Sequence, residues 1–131
     1  MNSPSEDIKD MLLAESGLNL TLGKNLFIGK ETIQPDDVVV IYDTYSGMPD
    51  LTMDGKVYHR PSIQIKVRSR DYQKGYNLID EIYRLLHGRA HETWNGTTYE
   101  LIRAINSPSL TDWDDRNRAR FIVNFNLQRK E

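Results

Sequence analysis

The sequence predicts an α+β fold: one domain over residues 1–131, built on a mainly antiparallel, mixed β-sheet, with one long helix packed on a face and a short N-terminal helix. Three observations lead there. Residues 57–70 and 118–129 alternate apolar and polar side chains, the period of a half-buried strand. "VVVIY", residues 38–42, is β-branched and apolar on both faces, as an interior strand is. "DYQKGYNLIDEIYRLLHG" changes to a helical period, with Gly75, Leu78, Ile79, Ile82, Leu85 and Leu86 on a stripe and Asp80, Glu81 and Arg84 opposite.

The elements follow in order. Ser3 can cap a first helix, Pro4 suits its first position, where no N–H is needed, and Glu6 stands three after the cap. Ile8, Met11 and Leu12 give this helix an apolar stripe, and Gly17 is expected to end it in a left-handed turn. A short strand is expected near residues 26–28, and a turn at residues 35–37 precedes the interior strand. "YSGMPDLTMDGK", residues 45–56, reads as a loop with turn signals at Ser46-Gly47 and Asp54-Gly55, the second at the tip of a hairpin. In the strand that follows, Ile63, Ile65 and Val67 face the core, while Gln64, Lys66, Arg68 and Arg70 make a wet, basic face. Asp71 or Ser69 can cap the long helix, and Gly88 stops it. Asn95-Gly96 fits the two positive φ angles of a type I′ hairpin turn. "NSPSLTDWDDRN" reads as a polar loop, and Ala119, Phe121, Val123, Phe125 and Leu127 line the core face of a last strand.

Composition narrows the function. With 131 residues the chain can bury a real core, and with no cysteine it has neither disulfides nor sulfur-ligated zinc. Acids in "MNSPSEDIKDMLLAES" stand where a signal peptide carries basic and apolar runs, so a soluble, unprocessed protein is expected. A net charge of −2 gives no general attraction to nucleic acid or anionic membrane.

Few residues suggest chemistry. His87 and His91 have the i, i+4 spacing of metal-binding helices, but Gly88 lies between them and the apolar stripe ends at Leu86. His87 at a helix C-terminus and His91 entering a strand is the better reading. Asp112, Asp114 and Asp115 lack the alternation and central glycine of a calcium loop. "GKNLFIGK" lacks the Gly-Lys-Ser/Thr ending of a phosphate loop, and no serine or threonine stands in a nucleophile-elbow context. No catalytic, cofactor or metal residue is assigned. Lys66, Arg68 and Arg70, with Tyr58 and Arg60, form the rival candidate: a basic sheet face that could track phosphates and stack bases. A protein partner or a second copy of the chain would explain such a face equally well.

Three stretches together resemble a known family: "SEDIKDMLLAESGLNL", the run from "IYDTYSGMPDLTMDGKVYHRP" through "SIQIKVRSRDYQKGYNLIDEIYRLLHG", and "WNGTTYELIRAINSP". They are similar to the tail terminator proteins of long-tailed bacteriophages, also described as tail completion or minor capsid proteins. The resemblance implies a structural virion protein without enzymatic turnover or cofactor. Such proteins form a homo-oligomeric ring, typically of six copies, at the head-proximal end of the tail tube. There they stop tube polymerisation and offer a surface for head-tail joining. The implied partners are the chain itself, the tail tube protein and a head completion or connector protein, with no membrane and no specific nucleic acid. The implied location is the virion tail, after assembly in the host cytoplasm.

Two interface expectations follow. Lys66, Arg68 and Arg70 are set against Asp112, Asp114 and Asp115 as complementary sides of neighbouring subunits, because a head-to-tail ring needs two unlike patches. Tyr45, Met48, Leu51 and Met53 give residues 45–56 more apolar surface than a solvated loop requires, so this stretch is expected to order against the tube protein or a neighbouring subunit.

Overall fold

The alternation over residues 118–129 becomes the longest strand, and four other strands pair with it. The computed structural model describes every residue except Ser46 and Glu131, so the Ser-Gly turn expected at Ser46 lies outside the described residues. The chain runs α1 (Pro4–Leu13), β1 (Leu26–Ile28), β2 (Val38–Thr44), β3 (Asp50–Leu51), β4 (Val57–His59), β5 (Ser62–Ser69) and α2 (Tyr72–Leu86). It continues through β6 (Glu92–Trp94), β7 (Thr97–Ala104), β8 (Ser109–Trp113) and β9 (Ala119–Lys130).

β5 and β4 lie end to end along one edge of β9, while β8 and β7 lie end to end along the other. β2 pairs outside β5, β1 outside β2, β6 outside β7 and β3 outside β4. All these pairings are antiparallel except β1 with β2, so the sheet is mixed but mainly antiparallel, as expected.

One face of this sheet carries the core. Val39 and Ile41 of β2, Ile63, Ile65 and Val67 of β5, and Phe121, Val123, Phe125 and Leu127 of β9 meet Ile79, Ile82 and Leu86 of α2. Ile8, Met11 and Leu12 of α1 join the same cluster. Each such aliphatic or aromatic side chain contributes roughly 1.5–3 kcal/mol by leaving water, which is why the period-two and helical stripes dictate the layering.

Local chemistry fixes most boundaries. Ser3 and Asp71 cap α1 and α2, their side-chain oxygens accepting from the N–H groups of Glu6 and Lys74. Gly88, at φ 88°, turns the chain after α2, and Asn95 and Gly96, at φ 52° and 80°, make the tight turn of the β6–β7 hairpin. A third signal, Asp54-Gly55, stands at the tip of the β3–β4 hairpin.

Four expectations need correction. Gly17 does not end α1 in a left-handed turn: α1 stops at Leu13, Gly17 sits in a 3-10 turn, and the left-handed residue is Asn19, at φ 54°. The alternation over 57–70 is two strands, because Pro61 has no N–H to donate; it accepts instead, from the N–H of Leu127 at 2.8 Å. The polar loop at 106–117 contains β8, an edge strand exposed along its length, which therefore shows no burial alternation. The basic face of β5 is not wet, for the reason given next.

Candidate assembly surface

Arg68 and Arg70 stand two apart on β5 and its end, so alternation points them to the same side of the sheet. Their surroundings nonetheless differ: the Arg68 side chain is 2 % exposed and that of Arg70 is 65 % exposed. Residues 31–36 form a strap across that face. Arg68 donates to Glu31 at 3.0 Å and to the carbonyls of Pro35 (2.6 Å) and Asp36 (3.2 Å), with further bonds to the carbonyls of Thr32 and Ile33. Arg120 donates to Glu31 at 3.0 Å and to Asp112 at 3.0 Å. Lys66 reaches Glu31 at 3.4 Å and sits over the Tyr42 ring, 5.4 Å from its centre. Arg118, also buried, donates to the carbonyl of Ile33 and meets Asp36 at 3.3 Å.

These cations are thus neutralised inside the subunit. Burial pushes the Glu31 carboxyl up, but the hydrogen bond from Arg68 and the charges of Arg120 and Lys66 outweigh it and hold the group below its ordinary value. Asp114 is likewise buried: its carboxylate accepts from the Arg118 guanidinium at 2.7 Å and from the N–H groups of Arg118 (2.9 Å) and Arg116 (3.0 Å). Against the upward push of burial, those donors bring it down to about 2. Arg68 and Asp114 therefore staple the strap and the β8–β9 turn, and the stretch read as a polar loop is buried at Asp114. Of the expected basic face only Arg60 and Arg70 stay well exposed, each paired with a carboxylate, Asp50 and Asp36, and the nucleic-acid reading of that face loses its footing. Asp112 and Asp115 are exposed; Asp112 is engaged by Arg120.

The two histidines are separated by the helix end. His87 caps α2, accepts from the N–H of Ala104 at 3.0 Å and stacks on Tyr83 with ring centres 5.3 Å apart. His91, beyond the helix at φ 56°, pairs with Glu100 at 3.0 Å. Among the described residues no three His, Cys, Asp or Glu side chains are grouped so as to hold a metal ion. Trp94 is half-buried against the core, with Arg89 over its ring and its indole N–H donated to Glu92 at 3.1 Å.

Among the described residues, two groups of apolar side chains stand uncovered, beside single exposed ones such as Ile33 and Ile105. The first is the arm on β3–β4, where Tyr45, Met48, Leu51 and Met53 are 77–105 % exposed. The arm is tied to the sheet by the N–H of Gly47 donating to the Arg60 carbonyl at 2.8 Å and by the Arg60–Asp50 ion pair. The second is a patch of Tyr72 and Tyr76 on α2 with Leu110 and Trp113 on β8, each 37–49 % exposed. Tyr72 stacks on Trp113, ring centres 6.3 Å apart and 18° from parallel, and both tyrosines pack on Phe121 beneath. Sequence reading missed this patch. Tyr72 and Tyr76 are one helical turn apart, which was a usable signal, but Trp113 lay in a stretch read as loop.

A family model described as bacteriophage tail terminator protein matches residues 8–131. The chain belongs to this family. This tail terminator family member is a phage tail structural protein. No curated protein matches its sequence. Among solved structures, a chain from "Virion of native gene transfer agent (GTA) particle" is similar in fold, with a TM-score of 0.66 over 98 % of this chain and 96 % of that one. The two are 8 % identical, so the likeness is one of fold.

Proposed function

We propose that this tail terminator closes with further copies of itself into a ring, six on the family pattern, at the head-proximal end of the tail tube. The ring ends tube polymerisation and presents the surface on which a head completion or connector protein docks. The role is architectural: it needs no cofactor and turns over no substrate. It is exercised in the virion, after assembly in the host cytoplasm.

The family match across residues 8–131 carries this reading. The distribution of charge and apolar surface supports it. The most strongly held charged groups, around Glu31 and Asp114, stiffen the subunit, whereas Tyr45, Met48, Leu51 and Met53 stand outside it without cover. Exposed large apolar side chains gathered on one short arm mark a contact with another protein. Arg70, Asp112 and Asp115 are exposed, the first two with ion partners in their own subunit, and sit where charges at the margin of a contact select partners more than they add affinity.

The deciding experiment is infection in the absence of this protein. Tubes longer than normal, or finished tails that fail to join heads, are the expected outcome; tails of normal length joined to heads would refute the reading.

A further inference from the structure

We propose that the apolar arm of one subunit, through Tyr45, Met48, Leu51 and Met53, docks on the aromatic patch of Tyr72, Tyr76, Leu110 and Trp113 of the next copy of this chain. The inference rests on the ring reading above and names the contact that closes the ring.

The placement of the two surfaces argues for a second copy as the occupant. The arm is rooted on β4, which pairs with β9 at Arg129 and Lys130. The patch is built on β8, which pairs with the other edge of β9 from Ala119 to Ile122. Arm and patch thus lie on opposite edges and at opposite ends of one strand, about 30 Å apart along it at roughly 3.4 Å per residue. Two unlike surfaces at opposite corners of a subunit are what a head-to-tail interface uses, and a rotation that closes turns it into a ring.

The chemistry of the two surfaces also matches. The arm offers two unbranched methionines, which adapt their shape and place sulfur against aromatic rings. The patch offers Trp and Tyr, the residue types that dominate interface energetics, with Tyr72 and Tyr76 already packed on Phe121 and Trp113 stacked on Tyr72. The areas suffice. With about 200 Å² for a fully exposed large side chain, the arm and patch together supply roughly 1,000 Å², the lower limit of a specific interface. A single contact of that size is weak, whereas a closed ring gives every subunit two.

The chain has no cysteine, which makes the contact directly testable. Subunits carrying both Met53→Cys and Leu110→Cys are supplied to an infection that lacks the wild-type protein, and purified tails are treated with a short bis-maleimide. A ladder of covalent multimers ending at the ring is expected from the double variant, with no ladder from either single variant. Capped, head-joined tails that yield no ladder would overturn the arm-to-patch contact while leaving the ring reading intact. Met53→Glu places a charge on a fully exposed side chain that the fold does not use, so the subunit folds normally. It is expected to lower the yield of joined particles at least tenfold; an unchanged yield would also overturn the contact.

Discussion

Arg68→Ala tests whether the charged face of β5 is a structural staple. The substitution removes the donor group that, among the described residues, bonds together Glu31 and the carbonyls of Thr32, Ile33, Pro35 and Asp36. Hydrogen bonds to a charged donor are worth about 1.5–3 kcal/mol each but do not add when they share one side chain. Glu31 retains Arg120 and Lys66, so no carboxylate is left alone. The loss is therefore set at roughly 3–5 kcal/mol: about 1.5–3 kcal/mol for the charge-assisted bonds and about 1–3 kcal/mol for strap carbonyls left without a donor. For a chain of this size that lowers Tm by about 12–20 °C, at ~4 °C per kcal/mol. Arg70→Ala is the matched control: its exposed pair with Asp36 is worth at most about 1 kcal/mol, and salt screens it. Thermal unfolding followed by circular dichroism reads both. Equal losses for the two variants, or a loss below about 1 kcal/mol for Arg68→Ala, would refute the staple.

Two further outcomes follow from the packing and the charges. The folded pKa of Asp114, about 2, lies below its ordinary 3.8, so its stabilising contribution is complete above 3.8 and disappears as pH falls through about 2. In Asp114→Asn the urea midpoint should lose that component of its acid dependence, and wild-type and variant curves parallel between about pH 4 and about pH 2 would contradict the assignment. Gly75→Ala places a Cβ 3.0 Å from Phe121 Cε2 and 3.0 Å from Ser69 Cβ. Helix propensity favours alanine by about 1 kcal/mol, but overpacking costs roughly 1–3 kcal/mol. A net fall in Tm is expected, and a rise would show that α2 can move off the sheet.

Much of the architecture was legible because its signals are local. Asn95-Gly96 specifies its own turn, Asp71 and Gly88 bracket α2, and the alternation of residues 119–127 identifies a core face without knowledge of its neighbours. Period two also places Lys66, Arg68 and Arg70 on one side of β5, but it cannot say what crosses that side. The strap at 31–36 comes from more than thirty residues earlier, and it separates a 2 % exposed Arg68 from a 65 % exposed Arg70. β8 was hidden for the opposite reason: an edge strand exposed along its length shows no alternation, so Ser109–Trp113 looked like loop. The apolar excess of Tyr45, Met48, Leu51 and Met53 was visible from composition. The patch at Tyr72, Tyr76, Leu110 and Trp113 needed the β8–β9 pairing to bring its two halves together.

The central position of β9 has a consequence for biosynthesis. β4, β5, β7 and β8 are all made before the strand that joins them, and their pairings with β9 span from a few residues to more than seventy. Until residues 119–130 have left the ribosome, the β2–β5 pair and the β6–β7 hairpin have no shared neighbour and expose the edges that β9 later covers. The sheet of a subunit therefore closes only once β9 is available to pair along both of its edges, and the pieces made earlier wait for it as separate units.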